Sequence, residues 1–419
     1  MPISKDLNET RKLWFWFFPT TSTVDDELVI WLNGGPGCSS LEGLLQENGP
    51  FSWRYGTYRP VRNTYSWHDL TNMIWVEQPV GAGFSQGVPD AVSEEDIAEK
   101  FLGFLENFIK TFGFENKKIY VTGESYAGYY VPYIVDAMYK KNNTKLFDPR
   151  GLMIFSPTLS EWVIHEQIPT AQYVDYWARL FALNKTTMDH LHATADKCGY
   201  TSYMSENLVF PPKGPFPTPP QIFTSSECDV WSAVFRAATL VNPCFNVFHI
   251  TTTCPLPWDV LGYPGSSHFL PEGAEIYFNR TDVQKAINAP HVNWEVCSRD
   301  YVFPNGDPSD PPSYSVLPRL IDKLERTVLG HGLLDFRLSI NGSLLAIQNM
   351  TWGGKQGFQT KPAEPFIVPY DNQGTIGVVH TERKLTWVEM ELCGHMAPQH
   401  QPGAAYRQLE YLLGRINKL

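Results

Sequence analysis

Apolar runs of strand length alternate with longer stretches whose apolar positions recur every three to four residues. Residues 13–18 and 28–32 are of the first kind, and the glycine-rich turn Asn33-Gly34-Gly35-Pro36-Gly37 follows the second. Another strand is predicted within 70–76, with Asn72-Met73-Ile74-Trp75-Val76 as its apolar part. Ser93 and Asp96 give a capping-box signal ahead of Ile97, Phe101, Leu105 and Phe108, which keep helical spacing. Lys118-Ile119-Tyr120-Val121-Thr122 then reads as a buried strand. Tyr130, Ile134, Val135 and Met138 fall on one face of a following helix, which Pro132 is expected to kink. With a further short strand at 152–155, the alternation predicts a mostly parallel sheet covered by helices on both faces, an α/β fold.

After residue 158 the rhythm breaks. Residues 159–269 hold four cysteines and the proline-dense stretch 211–220, a pattern that suits an inserted cap better than more sheet. The α/β rhythm returns with a helix over 315–325 and a strand through Thr327-Val328-Leu329, which ends at Gly332 and Asp335. A strand over 385–389 precedes Cys393-Gly394-His395-Met396, and 404–413 reads as a closing helix. The expected organisation is a core in two parts, 1–158 and 270–419, around a cap at 159–269. No repeat of 20 to 50 residues is present.

The chemistry begins at Gly123-Glu124-Ser125-Tyr126-Ala127-Gly128. This G-x-S-x-G pattern, set between a predicted strand and a predicted helix, is the signature of a nucleophile elbow. The letters alone arise by chance in roughly one chain in seven of this length, so the flanking elements carry the inference. A serine hydroxyl is a weak nucleophile until a histidine takes its proton and a carboxylate fixes that histidine's tautomer. In the α/β-hydrolase order the acid and then the histidine follow the serine, each after a late strand, and Asp335 and His395 stand at such positions. Singly, Asp335 reads as a turn former and His395 as an ordinary loop histidine; together with the elbow they form an ordered triple.

Composition narrows the class. With 43% hydrophobic and 14% aromatic residues, 419 positions bury a large core. The net charge of -11, without any Lys/Arg-rich block, argues against a nucleic acid or an anionic membrane as partner. No apolar run approaches 18 residues, so no membrane span is expected. Six N-x-S/T sequons, at Asn8, Asn142, Asn184, Asn279, Asn341 and Asn349, exceed the roughly two that ordinary usage gives, and N-linked glycans are expected. Seven cysteines without a C-x-x-C pair or zinc-like spacing favour disulfides with one thiol left over, and no metal. Both features point to the secretory pathway, either secretion or a vacuole-like compartment. Residues 1–10 lack an apolar signal region, so an exported chain is expected to have been trimmed.

Trp31-Leu32-Asn33-Gly34-Gly35-Pro36-Gly37-Cys38-Ser39-Ser40, the elbow, and Gly394-His395-Met396 are all similar to signatures of the serine carboxypeptidase family. Ser66-Trp67, Asn72 and 78–85 resemble further family segments, so the similarity spans nearly the whole chain and is weakest in the insert. Gly332-Leu333-Leu334-Asp335-Phe336 and Asn349-Met350-Thr351-Trp352 resemble the fungal members most. The resemblance implies an α/β-hydrolase fold with an inserted cap, the triad Ser125, Asp335 and His395, and an oxyanion hole from the backbone N–H groups of Gly35 and Tyr126. It implies that Asn33, Glu47 and Glu124, oriented by Trp31, hold the substrate's terminal carboxylate, through acids that share protons and so favour acidic pH. Without the resemblance Glu47 reads as a surface helix glutamate.

Met396 is implied as a wall of the terminal-residue pocket, against a plain reading as a core methionine. Arg337 falls near the pocket for the penultimate residue, where it would favour acidic side chains, against a solvent-facing reading. Cys38 is implied to pair with Cys297; Cys198, Cys228, Cys244 and Cys254 would form two more bridges of open connectivity, leaving Cys393 as either a reactive or a buried inert thiol. Ser156-Pro157-Thr158 replaces a more usual Gly-Asn-Gly run, and Leu333 stands where many relatives are acidic. The implied activity is removal of C-terminal amino acids from peptides and proteins through an acyl-enzyme, with no cofactor. Acyl transfer or ester hydrolysis by the same triad, and a catalytically silent homologue, are the alternatives.

Overall fold

Strands buried on both faces read as unbroken apolar runs, and the strands at the centre of this molecule are of that kind. The structure is a computed structural model that describes residues 1–262, 273–298 and 302–419. Nine strands form its main sheet: β1 (Trp14–Phe18), β2 (Glu27–Leu32), β3 (Asn72–Glu77), β4 (Lys118–Glu124), β5 (Asp148–Phe155), β6 (Arg326–Gly332), β7 (Glu364–Val368), β8 (Gly374–Glu382) and β9 (Leu385–Met390). Their spatial order is β1-β3-β2-β4-β5-β6-β9-β8-β7. The six strands from β3 to β9 run parallel; β1 pairs antiparallel at one edge, and at the other β8 pairs antiparallel with β9 and β7 with β8. This is a mixed, mostly parallel α/β-hydrolase sheet.

The β2 side chains alternate between two cores. Leu28, Ile30 and Leu32 pack with helices α1 (Glu94–Phe112) and α2 (Ala127–Lys141), whereas Val29 and Trp31 join the opposite core with the closing helix (Pro402–Leu412). Ser93 caps α1 by accepting from Asp96 N–H, and Gly113 ends that helix in the left-handed region. A helix at Val316–Lys323 lies where the apolar spacing places one.

Two regions differ from the pattern reading. Helix Ile340–Asn349 is buried nearly all round and so lacks the two-sided periodicity that reveals a surface helix. The antiparallel strands β7 and β8 are also unannounced. Glycine at 374 and 377 interrupts their alternation, and Gly377 is required because a Cβ there would lie 1.9 Å from the Glu389 carbonyl on β9.

Between β5 and β6 the chain leaves the sheet. Helices at Ile168–Tyr176, Lys185–Lys197, Tyr200–Asn207 and Val230–Val241 build a separate small core, which also takes in Leu334 and Phe336 on either side of Asp335. Cys198 pairs with Cys228 and Cys244 with Cys254 in this region. Cys38 pairs with Cys297 across a sequence separation of 259, and Cys393 is free and buried. The expected boundary at 269/270 lies outside the described residues.

Candidate active site

Parallel strands deliver their following loops to one edge of the sheet, and here those loops carry the chemistry. Asn33 comes one residue after β2, Ser125 one residue after β4, Asp335 three residues after β6 and His395 five residues after β9. At the elbow Ser125 has φ +62°. That left-handed conformation is costly for a residue with a side chain, and the surroundings over-determine it. Ser125 N–H donates to the Phe155 carbonyl at 2.9 Å, and its own carbonyl accepts from Gly128 and Thr158, each at 2.9 Å. A Cβ at Gly123 would lie 2.3 Å from the Leu32 carbonyl, and one at Gly128 would lie 2.1 Å from the Thr158 carbonyl, so both elbow glycines are demanded by close backbone approach. Ser156, where the usual glycine is absent, itself takes φ +43°.

His395 Nδ1 and Asp335 Oδ2 are 2.6 Å apart, and both residues are buried. Burial alone would raise the Asp335 pKa, but His395 and then His331 overcome it and hold the carboxyl well below its usual range. An ionised Asp335 only accepts, so His395 donates from Nδ1. Ser125 and His395 line one cavity of about 410 Å³ with Asn33, Gly35, Glu42, Glu124, Trp162 and Arg337. Among the described residues no acceptor takes the backbone N–H of Gly35 or of Tyr126.

Beside this cavity lies a dense set of buried acids. Trp31 Nε1–H and Gly43 N–H donate to Asn33 Oδ1 at 2.7 and 3.3 Å, which fixes the amide so that its Nδ2 donates to Glu124 Oε1 at 2.9 Å and Glu47 Oε1 at 3.3 Å. The second carboxylate oxygens of Glu47 and Glu124 are buried, and among the described residues their one neighbour of hydrogen-bonding kind is the other carboxyl of the pair. Burial raises both pKa values, and for Glu124 the nearby Glu47 and Glu42 raise it further. Glu47 is thus an interior acid and not a surface one.

Glu42 is the member that sequence reasoning missed. It lines the cavity, and burial followed by repulsion from Glu47 and Asp259 raises its pKa. Asn48 N–H bonds to the Gly43 carbonyl at 2.9 Å, an i→i+5 bond of a π-helical turn at Gly43–Glu47. That wide turn brings residues five apart to one side, a spacing invisible to a 3.6-residue reading. Glu77 was missed as well, because its partners Ser39 and Phe84 come from other segments of the fold. It is buried in β3, accepts from Ser39 Oγ and Phe84 N–H, and burial pushes its pKa up to about 7.

Arg337 lines the cavity with its side chain half-buried and already partnered. It pairs with Glu166 at 2.9 Å and lies between the rings of Trp162 and Trp231, at 5.2 and 5.3 Å from their centroids. Met396 is buried and does not line the cavity. The buried Cys393 thiol is pushed well up by burial, the opposite of what reactivity needs. Asn8, Asn142, Asn184 and Asn349 are exposed, whereas Asn279 and Asn341 are partly buried and hydrogen-bonded through their side chains. Among the described residues no group of three or more His, Cys, Asp or Glu is arranged to hold a metal, and no helix is long and apolar enough to cross a membrane.

The strained serine between strand and helix, with an acid and a histidine on later loops of the same sheet edge, defines a hydrolase of the α/β class. The sequence profile described as "Serine carboxypeptidase" matches residues 3–415, and the chain belongs to that family. It is a serine-type carboxypeptidase, a hydrolase. The chain is 54% identical to a probable serine carboxypeptidase of Arthroderma benhamiae, over all of this chain and 83% of that one. It is 45% identical to serine-type carboxypeptidase F of Aspergillus niger, over all of this chain and 84% of that one. Its fold is shared by the prohormone-processing carboxypeptidase Kex1(delta)p of Saccharomyces cerevisiae, with a TM-score of 0.76 at 22% identity over 99% of this chain and 90% of the other.

Proposed function

We propose that Ser125 attacks the last peptide carbonyl, that His395 takes the serine proton and passes it to the leaving amine, and that Asp335 holds His395 in the Nδ1–H tautomer. Water then releases the acyl group by the reverse relay. The N–H groups of Gly35 and Tyr126 receive the oxyanion, a contribution of about 3 kcal/mol per donor in comparable sites. The observation that carries the reading is the 2.6 Å Asp335–His395 contact beside a cavity lined by Ser125 and by Glu124, one of the two acids that Asn33 engages.

An exopeptidase must hold a free carboxylate. Two acids do this when they bear protons, since a carboxyl group then donates where a carboxylate repels. Asn33, Glu47 and Glu124 fill this role with Trp31 orienting Asn33, and Glu42 stands beside them at the cavity wall. Peptidase activity is therefore strongest at acidic pH. Arg337 borders the penultimate side chain, Met396 supports the wall of the terminal pocket from behind, and the segment 159–269 serves as a cap over the 1–158 and 270–419 core. The three disulfides suit an oxidising compartment, and secretion or a vacuole-like destination fits them, with glycans on the exposed sequons first.

The test is release of free C-terminal amino acids from a peptide, followed by mass, with Ser125→Ala as control. Loss of release with retained fold supports the assignment. Full release by Ser125→Ala, or internal cleavage by the wild type, overturns it.

A further inference from the structure

Behind the triad stands a second histidine that the reaction scheme does not use. His331 lies in β6 one residue before Gly332, and its side chain is 0% exposed. Its Nε2 is 2.7 Å from the Leu338 carbonyl and 3.4 Å from Asp335 Oδ2. A carbonyl only accepts, so Nε2 carries the proton, and the same N–H reaches across to the carboxylate. Leu338 N–H donates in turn to Asp335 Oδ1 at 3.0 Å. Segment 331–338 therefore closes on itself around the acid, with His331 as the clasp.

A neighbouring ring completes the array. His165, also buried, accepts at Nε2 from Leu159 N–H at 2.9 Å and Ser160 N–H at 3.1 Å, which places its own proton on Nδ1. Burial, helped by the adjacent His331, lowers its pKa to about 3, so it is neutral. Among the described residues His165 Nδ1 and His331 Nδ1 have no hydrogen-bond partner. The backbone that His165 grips continues from Thr158, whose N–H bonds to the Ser125 carbonyl. Ser339 N–H donates to the His165 carbonyl at 3.1 Å, so His165 ties the loop behind the nucleophile to the loop that bears the acid.

We propose that His331 is a positioning residue of the triad: through its Nε2–H it clasps the Asp335 loop to Leu338 and holds Oδ2 of the carboxylate towards His395. A buried carboxylate has about four lone-pair sites, and the described structure gives Asp335 two short donors, Leu338 N–H and His395 Nδ1–H. His331 supplies the third, and no apolar residue could also satisfy the Leu338 carbonyl. This inference rests on the assignment of Ser125, His395 and Asp335 as the triad.

Two variants and one wild-type measurement test it. His331→Leu is expected to lower kcat on a peptide, and the rate at which a fluorophosphonate labels Ser125, by about tenfold to a hundredfold with KM unchanged. His331→Gln, which keeps a side-chain N–H near the Nε2 position, is expected to recover most of that loss. In the unsubstituted protein, ¹⁵N NMR of the histidines should find His331 protonated at Nε2, and the far-downfield proton between His395 and Asp335 should move in His331→Leu. A folded His331→Leu with unchanged kcat, a His331→Gln as slow as His331→Leu, or a His331 protonated at Nδ1 alone in the wild type overturns the proposal. The NMR result stands whether or not either variant folds. Failure of the fluorophosphonate to label wild-type Ser125 at all would instead overturn the triad assignment itself.

Discussion

A carboxyl group grips another carboxylate only while it carries a proton, and at residue scale this governs Glu47 and Glu124. Both are buried with raised pKa values, so on the proposed reading they donate in acid and repel the substrate's end once they ionise. The KM for a peptide is expected to rise about tenfold or more between pH 5 and 8, while the KM for an ester lacking a free carboxylate stays flat. Glu47→Gln carries an amide donor at every pH and should flatten the peptide curve. A KM–pH series on both substrates checks this, and parallel curves for the two would count against the acid pair. Glu124 stands inside a sequence motif and Glu47 was implied only by the family resemblance; the company of Glu42 was legible in neither, because a π-helical turn sets it.

At the scale of elements, two loops must nearly touch. Gly34, after β2, lies against the elbow after β4, where a Cβ would come 2.5 Å from Tyr126 N and 2.8 Å from Ser125 Cβ. Gly34→Ala must push the Asn33–Gly35 backbone away from the elbow, parting the two proposed oxyanion donors. The expected result is a loss of about a hundredfold in kcat with a smaller change in Tm, measured by peptide kinetics and thermal melting. The strand–serine–helix unit was readable because its pattern is local. Strands β7 and β8 were not, because their pairing along the β9 edge supplies what their own composition does not.

Across the whole molecule, Glu42, Glu47, Glu77, Glu94 and Glu124 are all buried with raised pKa values. A carboxyl raised on folding adds stability below its unfolded pKa and loses it as pH rises through the folded value. For Glu77, raised from 4.5 to about 7, the loss accrues between those values and amounts to about 3 kcal/mol. Asp335 has the opposite sign, and its contribution disappears only in strong acid. Tm should therefore be higher at pH 5 than at pH 8, and Glu77→Gln should reduce that difference; a Tm that climbs from pH 5 to 8 would refute the account. The Cys38–Cys297 bridge acts at the same scale by joining residues 259 apart. Its removal by a Cys38→Ser, Cys297→Ser pair is expected to cost about 2–5 kcal/mol, read from denaturant melts.

The amino-acid order by itself determined the alternation of strand and helix, the elbow and the order serine, acid, histidine, because each depends on neighbours within a few positions. Only the tertiary structure decided that Glu42 joins Glu47 and Glu124, that Arg337 is already paired with Glu166, and that His331 and His165 stand behind Asp335. Those relations join residues from separate strands and loops, and burial creates their electrostatics. A carboxyl or an imidazole acquires its shifted protonation only when the fold removes water from around it.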